Sequence, residues 1–474
     1  MSFFVTAITL IINQPSVSGS PNIVFILSDD QDWTDTSVQM HPEFPGSKSR
    51  FVETPNLEQL AARGMSFSAA YAPAPVCSPT RISLQTGKSP AQLHWTKASR
   101  SVTAADNYPL IPPVCSRKIQ DSEITLVEML KTRGYATAHY GKWHLSGGGP
   151  EQHGYDESDG DTGNKDAAPH HAPNPSDVFG ITERANAFME KNVKSNTPFF
   201  IQLSHHALHY PENSSAELLE KYASLSGDSA ETKSVQRMAM AEHLDDGVGL
   251  IMQKIDELGI TDHTYVIFMS DNGGGGKGGR KARPGKRKNV RPLTAGKGGV
   301  WEGGIRVPLI IRGPSVKAGT YCHSRVVGYD LYPTLCTLAG VEEPLPSGLE
   351  GGDISPLFVA GKGRVVRPRE ELVFHFPHYQ GDTPHSAILS GNFKLMKWYE
   401  DGSVKLFNLS DDIGEQEDLS EIFPQKAVEL KTRLEQYLTD ISAQMPGINK
   451  DFDPSKPSVS RKGRKERKSR EANR

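Results

Sequence analysis

The sequence predicts an α/β protein, a mostly parallel sheet between helices, followed by a small α+β domain. Three observations carry this expectation. Short apolar segments rich in β-branched residues, such as Asn22-Ile23-Val24-Phe25-Ile26-Leu27-Ser28, have the texture of strands buried on both faces. They alternate with stretches of helical periodicity, as in a parallel sheet covered by helices. Beyond about residue 360 the helices drop out and short strands follow one another.

The elements follow in order. Phe3 to Ile12 is an uncharged apolar run, too short to span a bilayer, with Ser16 and Ser18 as small residues before a cut. Residues 1–20 therefore read as a signal peptide, which makes the protein secreted or periplasmic, and no other stretch is long enough for a membrane span. The strand 22–28 runs into Asp29-Asp30. Thr54 to Gly64 is a capped helix, and a loop from Ala69 to Val76 delivers Cys77. Glu123 to Arg133 is an amphipathic helix stopped by Gly134. A strand, Tyr135 to Tyr140, leads into Gly141-Lys142-Trp143-His144. Gly147 to Pro175, rich in Gly, Pro, Asp and His, reads as a long surface loop.

A helix at 181–192, a strand at 198–204 ending in His205-His206-Ala207-Leu208-His209-Tyr210-Pro211, and a long helix at 234–258 come next. The strand 265–270 runs into Asp271-Asn272-Gly273. After it, residues 277–291 carry eight Lys or Arg and no acid, which reads as a solvated loop or a holder of polyanions. Gly296 to Pro308, with Lys297 and Arg306, precedes an apolar strand. Strands at 372–376, 386–389, 394–398 and 405–408 follow, with an Asp401-Gly402 hairpin turn and a terminal helix at 425–444. The predicted organisation is a catalytic domain at 21–360, a small sheet-plus-helix domain at 361–448, and a basic disordered tail at 449–474.

With 474 residues, 36% hydrophobic and 23% charged, the chain has the composition of a globular protein. A net charge of −3 gives no global case for nucleic acid or membrane binding. Four cysteines, Cys77, Cys115, Cys322 and Cys336, are too few for a disulfide scaffold.

Two features carry chemistry. Two apolar strands far apart in sequence each end in Ser-Asp followed by Asp or Asn. As parallel neighbours they would bring Asp29, Asp30, Asp271 and Asn272 to one edge, a hard all-oxygen site for Ca²⁺ or Mg²⁺ rather than zinc. The second feature is Cys77-Ser78-Pro79-Thr80-Arg81, closed by Thr86-Gly87. Proline suits the first position of a helix, which sets Cys77 at the helix entrance with Arg81 one turn on, on the same face. Read alone, this is a thiol poised for activation, or a buried structural cysteine. Arg81, Lys142 and Lys297 supply cations for an anionic group, and His144 and His209 are candidates for proton transfer, since histidine titrates closest to neutral pH.

The pattern C-x-P-x-R-x-x-x-x-T-G resembles the signature of the type I sulfatases. With Asp29-Asp30, Gly141-Lys142-Trp143-His144, His205 through Pro211, Asp271-Asn272-Gly273 and Lys297 through Arg306, the resemblance spans nearly the whole chain. It implies an alkaline-phosphatase-like fold and conversion of Cys77 to Cα-formylglycine by a maturation enzyme. It further implies Ca²⁺, with Mg²⁺ less favoured, held by Asp29, Asp30, Asp271, Asn272 and residue 77. By the same resemblance Lys142 and Lys297 grip sulfate, Arg81 favours the nucleophile's alkoxide, His209 with Lys297 protonates the leaving alcohol, and His144 takes the proton that expels sulfate. The expected activity is hydrolysis of a sulfuric ester on a sulfated carbohydrate. A phosphate or phosphonate monoesterase and a non-enzymatic polyanion binder are the alternatives. Trp95, His94, Arg100 and His378 are further candidates for sugar contacts.

Overall fold

The computed structural model describes residues 19–98, 107–167, 174–226, 232–275 and 292–456. The apolar run at 3–12, Arg100, the basic segment 277–291 and the end of the tail lie outside the described residues.

An eight-stranded sheet organises the molecule. Its strands, in spatial order, are Thr320–Cys322, Met65–Phe67, Leu309–Arg312, Thr264–Ser270, Asn22–Ser28, Phe199–Ser204, Ala136–Gly141 and Glu157–Ser158. All pairings are parallel except the two made by Leu309–Arg312. Every residue of the three central strands Thr264–Ser270, Asn22–Ser28 and Phe199–Ser204 is buried, which explains why they read as unbroken apolar runs. The two sides of the sheet pack into separate cores. One joins Phe25, Leu27, Phe67 and Met269 to Leu335 and Leu130, and the other joins Val24, Ile26, Ile201 and Phe268 to Leu244, Val248 and Phe188.

Most elements fall where the periodicity puts them, and the differences have local causes. The helix read from Glu123 starts at Leu126, because Thr125 accepts from Glu128 N and the Glu128 carboxylate accepts from Thr125 N, a reciprocal cap. The expected long loop at 147–175 is not wholly a loop: Glu157–Ser158 pairs in parallel with the Ala136–Gly141 strand at the sheet edge. Two residues are too few to show alternation. Helices Ala216–Ser226, Leu331–Leu338 and Ser355–Ala360 were not expected.

The second sheet is antiparallel and built from Leu372–Phe376, His385–Ser390, Phe393–Trp398 and Val404–Asn408. One face packs Val373, Ile388, Leu395 and Leu406 against Leu430 and Leu434 of the Pro424–Asp440 helix. The other packs Phe374, Phe376 and Met396 against Val76, Val300 and Ile305. These last three residues flank Cys77 and Lys297, so the small sheet backs the segments that carry both. Residues 449–456, which the sequence assigns to the tail, lie against 107–110 through Asn449 N to Pro109 O (2.9 Å) and Asp453 N to Asn107 Oδ1 (2.9 Å). No described helix is long and apolar enough to cross a membrane.

Candidate active site

Register alone assembles the site. Ser28 is paired with Ser270, Leu27 with Ser204, and Ser204 with Gly141. The residues that follow, Asp29-Asp30, Asp271-Asn272, His205-His206 and Lys142, therefore emerge side by side at the carboxyl edge of four parallel neighbours, where α/β sheets place their ligands.

Cys77 reaches that edge from the helix Cys77–Thr86. It is the first helical residue and Pro79 the third, so the proline lies two positions further in than the sequence suggested. Gly87, at φ 68°, closes the helix in the left-handed region, and its N–H donates to Ser83 O at 2.9 Å. All ten helical residues are buried. One oxygen or sulfur atom each of Asp29, Cys77 and Asp271 lies within 4.8 Å of the others.

Cations surround these groups. Arg81 donates from Nε (3.0 Å) and Nη2 (2.8 Å) to Asp271 Oδ2, and from Nη1 to Lys142 O. Lys142 Nζ pairs with Asp29 Oδ2, both fully buried. Lys297 Nζ lies 2.5 Å from Asp30 Oδ1, which also accepts from Asn272 Nδ2 at 2.8 Å. Asp30 N donates to Asp271 Oδ1 at 3.2 Å, tying the two acidic pairs together. Asp30 and His144 sit at φ 60° and 59°, strained conformations of the kind that cluster at functional sites. His144 is held by Ser78 Oγ, which donates to its carbonyl at 2.8 Å. His209 Nδ1 donates to Tyr210 O at 2.6 Å, and a carbonyl only accepts, so Nε2 is the basic nitrogen; it lies 4.0 Å from Asp30 Oδ2.

The electrostatics divide the labour. Burial would raise the Asp29 carboxyl, yet Lys142, His209, Arg81 and Lys297 hold it well below the usual range. Burial and the Asp29 charge push Asp271 up to about 8 against Arg81. Burial works against the Lys297 ammonium, but Asp30 holds it charged. Burial, with Lys142 and Arg81 beside it, lowers His144 to about 2, and burial lowers His209. At neutral pH both imidazoles are neutral, and Arg81 and Lys297 stay charged.

The donor set fits a divalent cation. Asp29 Oδ1 and Asn272 Oδ1 are buried with no hydrogen-bond partner among the described residues. Two buried carboxylates side by side, one of them pushed up by the other's charge, are stabilised by such an ion. The oxygen donors suit Ca²⁺ or Mg²⁺.

Some supporting residues carry no sequence signal. Arg237, from the Thr232–Glu257 helix, donates to Asp30 O, to Leu208 O (3.2 Å) and to Asp35 Oδ2 (2.7 Å), clamping two loops of the site. Lys394 Nζ, fully buried in the second sheet, lies 2.9 Å from Glu302 Oε1 and 2.7 Å from Glu415 Oε1. Among the weaker sugar-contact candidates, Trp95 is buried with Nε1 donating to Lys97 O, and His378 Nε2 is 2.8 Å from Thr96 Oγ1 and buried. His94 is bonded to Ser442 O.

A buried cluster of carboxylates, cations and a helix-entrance nucleophile position at the carboxyl edge of an α/β sheet defines a hydrolase of an anionic ester. The chain's relatives narrow the class. Residues 21–341 match the Sulfatase family, and residues 296–444 match the family described as N-sulphoglucosamine sulphohydrolase, C-terminal. Human arylsulfatase A is 31% identical over 421 residues, covering 80% of this chain and 75% of that protein. Mouse N-acetylgalactosamine-6-sulfatase is 30% identical, covering 83% and 75%. Among solved structures, Ps i-CgsB in complex with k-i-k-neocarrahexaose superposes with a TM-score of 0.70 at 24% identity, covering 95% of this chain and 98% of that one. The chain belongs to the sulfatase family, with its alkaline-phosphatase-like fold, and is a sulfuric ester hydrolase.

Proposed function

We propose that the protein removes sulfate from a sulfated carbohydrate, with residue 77, matured to Cα-formylglycine, as its nucleophile. The observation that carries the mechanism is the convergence of Cys77, Asp29 and Asp271 within 4.8 Å, ringed by Arg81, Lys142 and Lys297. The carbohydrate is supported by relatives named for saccharide substrates, among them the mouse enzyme above.

Asp29, Asp30, Asp271 and Asn272 would hold a divalent cation, Ca²⁺ in preference to Mg²⁺, supplying a Lewis acid that polarises a sulfate oxygen. Hydrated formylglycine would supply two hydroxyls, one to attack sulfur and one whose deprotonation releases sulfate. A serine in that position lacks the second hydroxyl and has no such exit.

The chain's own residues do the rest. Arg81, fixed by Asp271 and by Lys142 O, keeps its charge beside residue 77 and favours an oxyanion there. Lys142 and Lys297 bind the non-bridging sulfate oxygens. His144, neutral because it is buried among cations, is free to accept the proton of the second hydroxyl. Protonation of the departing alcohol falls to His209 with Lys297, the proton coming from the Lys297 ammonium and passing through the unprotonated Nε2 of His209. The ammonium carries a proton at neutral pH, and His209 Nε2 is beside the Asp30 carboxylate that holds it.

The test has two parts. Tryptic mass spectrometry of active protein is expected to find an aldehyde at residue 77, and Cys77→Ala is expected to lower kcat by at least ~10³-fold with the fold intact. Desulfation of positionally defined saccharides, beside matched aryl sulfate and aryl phosphate esters, is expected to favour the sulfates. Full activity in Cys77→Ala sinks the nucleophile. Turnover of aryl sulfate with no sulfated saccharide accepted sinks the carbohydrate substrate.

A further inference from the structure

A cavity of about 750 Å³ is separate from the site above. Its lining includes Ser68, Arg306, His323 and Arg325 from the large sheet's loops, and Leu372, Leu389, Asn392 and Leu409 from the small one. Topology places it. Leu309–Arg312 is antiparallel to both Thr264–Ser270 and Met65–Phe67, so those two strands run the same way, and Thr320–Cys322 is parallel to Met65–Phe67. Ser68 and His323, which follow their strands, therefore emerge at the same edge as Asp271. Arg306, which precedes the antiparallel strand, does so too. Three strand spacings separate the strand before Asp271 from the one before His323, roughly 14 Å along that edge. The partition between them is Trp33, with Arg306 Cζ 5.5 Å from its ring and His41 at 6.4 Å.

The charges are unevenly used. Arg306 is spent on Glu302 (2.6 Å), Arg367 on Asp330 (2.6 Å) and Arg364 on Glu370 (3.3 Å). Glu43 adds one exposed carboxylate at the rim. Arg325 is half-buried in the cavity and its guanidinium has no hydrogen-bond or ion-pair partner among the described residues. Next to it His323, exposed and braced by Ser68 Oγ at 2.7 Å, lies 5.3 Å from the ring of His41. Phe44, 36% exposed, packs edge-on against His41 and offers an apolar face. A free guanidinium, two imidazoles and an apolar wall are the means by which a protein holds a sugar ring bearing an anionic group.

We propose that this cavity is a second subsite for the carbohydrate chain, taking a sulfated or carboxylated sugar a few units from the ester that is cleaved. Arg325 binds its anionic group, His41 and His323 hydrogen-bond it, and Phe44 carries the ring. The proposal rests on the carbohydrate reading of the active site. It makes the protein an enzyme that prefers extended anionic chains to single sugars.

Arg325→Ala removes only an unpaired side chain, so the fold is not at stake. Activity is measured on an aryl sulfate and on a size-fractionated series of sulfated galactan or glycosaminoglycan oligosaccharides. In the wild type KM is expected to fall as the chain lengthens. In Arg325→Ala, KM for the longer chains is expected to rise about tenfold, the worth of one charged hydrogen bond, and the dependence on length to flatten. kcat on the chains and kcat/KM on the aryl sulfate are expected to be unchanged. His323→Ala is expected to shift KM in the same direction by a smaller factor. A wild-type KM independent of length, or an Arg325→Ala KM unchanged on every chain that is desulfated, overturns the subsite and leaves the active-site reading standing. An equal loss on aryl sulfate and on chains also overturns it, since the effect is then not confined to chain binding. A wild type that hydrolyses aryl sulfate and no saccharide overturns both.

Discussion

Replacing Lys394 by Met tests how the small sheet supports the site. The ammonium lies between Glu302 and Glu415, at 2.9 and 2.7 Å, with all three side chains fully buried. Glu302 also accepts from Arg306 Nε (2.6 Å) and Tyr71 OH (3.0 Å), so two cations balance two carboxylates. Burial opposes ionisation of Glu302, yet Lys394 and Arg306 bring it down to about 2. Burial takes Glu415 up to about 7 with Glu302's charge beside it, so Lys394 is what keeps the second carboxylate tolerable. Removing one partner from a buried pair costs about 3–5 kcal/mol, because the remaining charge stays buried without compensation. Glu415 is already near neutrality and takes up a proton in the variant, which places the loss at the lower end, ~3 kcal/mol at pH 7. Glu302 opens the turn after Lys297, so KM for an aryl sulfate should rise as well. Urea unfolding followed at pH 7 gives the stability, and Lys394→Met/Glu415→Leu supplies the control, recovering ~1–2 kcal/mol by removing the orphaned acid. A single-variant loss below ~1 kcal/mol, or a double variant as unstable as the sum of the singles, refutes the account.

Two further outcomes follow from the buried groups. Dialysis against a chelator should abolish turnover and lower the melting temperature, with Ca²⁺ restoring both better than Mg²⁺; at a hundred times its Kd an ion adds ~2.7 kcal/mol. Asp29→Asn should remove that response, and a melting temperature indifferent to chelator and Ca²⁺ would dismiss the ion. Burial lowers His205 and His375 to about 4, and His139 and His206 to about 3. Below about 6.5 the unfolded chain binds protons that these groups refuse. Stability is therefore complete above that pH and falls as pH drops toward 4, by ~1.4 kcal/mol per pH unit for each histidine. Urea midpoints at pH 7.5, 6 and 5 measure the slope. His205→Asn should flatten it by one histidine's share, and an unchanged slope would contradict the assignment.

The sequence was most informative where a strand is buried on both faces. Asn22–Ser28 and Thr264–Ser270 are unbroken apolar runs because helices cover both sides, and each ends at the polar residue where the sheet reaches its edge. That boundary located Asp29 and Asp271 without any knowledge of their pairing. What stayed hidden depends on contacts between distant segments. Lys394 sits in Phe-Lys-Leu-Met-Lys-Trp, which looks like an ordinary strand with polar positions outward. Its burial follows only from Glu302 and Glu415 meeting it on the face it shares with Met396. Arg237 likewise lies within a long helical pattern, and nothing near it in sequence indicates that it reaches Asp30 and Leu208. The predicted helix start at Glu123 is three residues too early; Ile124 is exposed, and Thr125 begins the cap.

The charge count of the site bears on the choice between sulfate and phosphate. Asp29, Asp30 and Asp271 face Arg81, Lys142 and Lys297, three against three, and burial keeps His144 and His209 neutral. With a divalent cation in the proposed donor set, and Asp271 ionised beside it, the site carries two positive charges. A sulfate monoester brings one negative charge and the nucleophile's oxyanion a second, and the sum is zero. A phosphate monoester dianion leaves the same site one charge negative among largely buried groups. At close range in such surroundings an unbalanced charge costs several kcal/mol even at a high effective dielectric constant. The neutral histidines sharpen the preference. A site built for dianions would gain from imidazolium beside the ester, and here burial first, with Lys142 beside both rings, holds the histidines unprotonated.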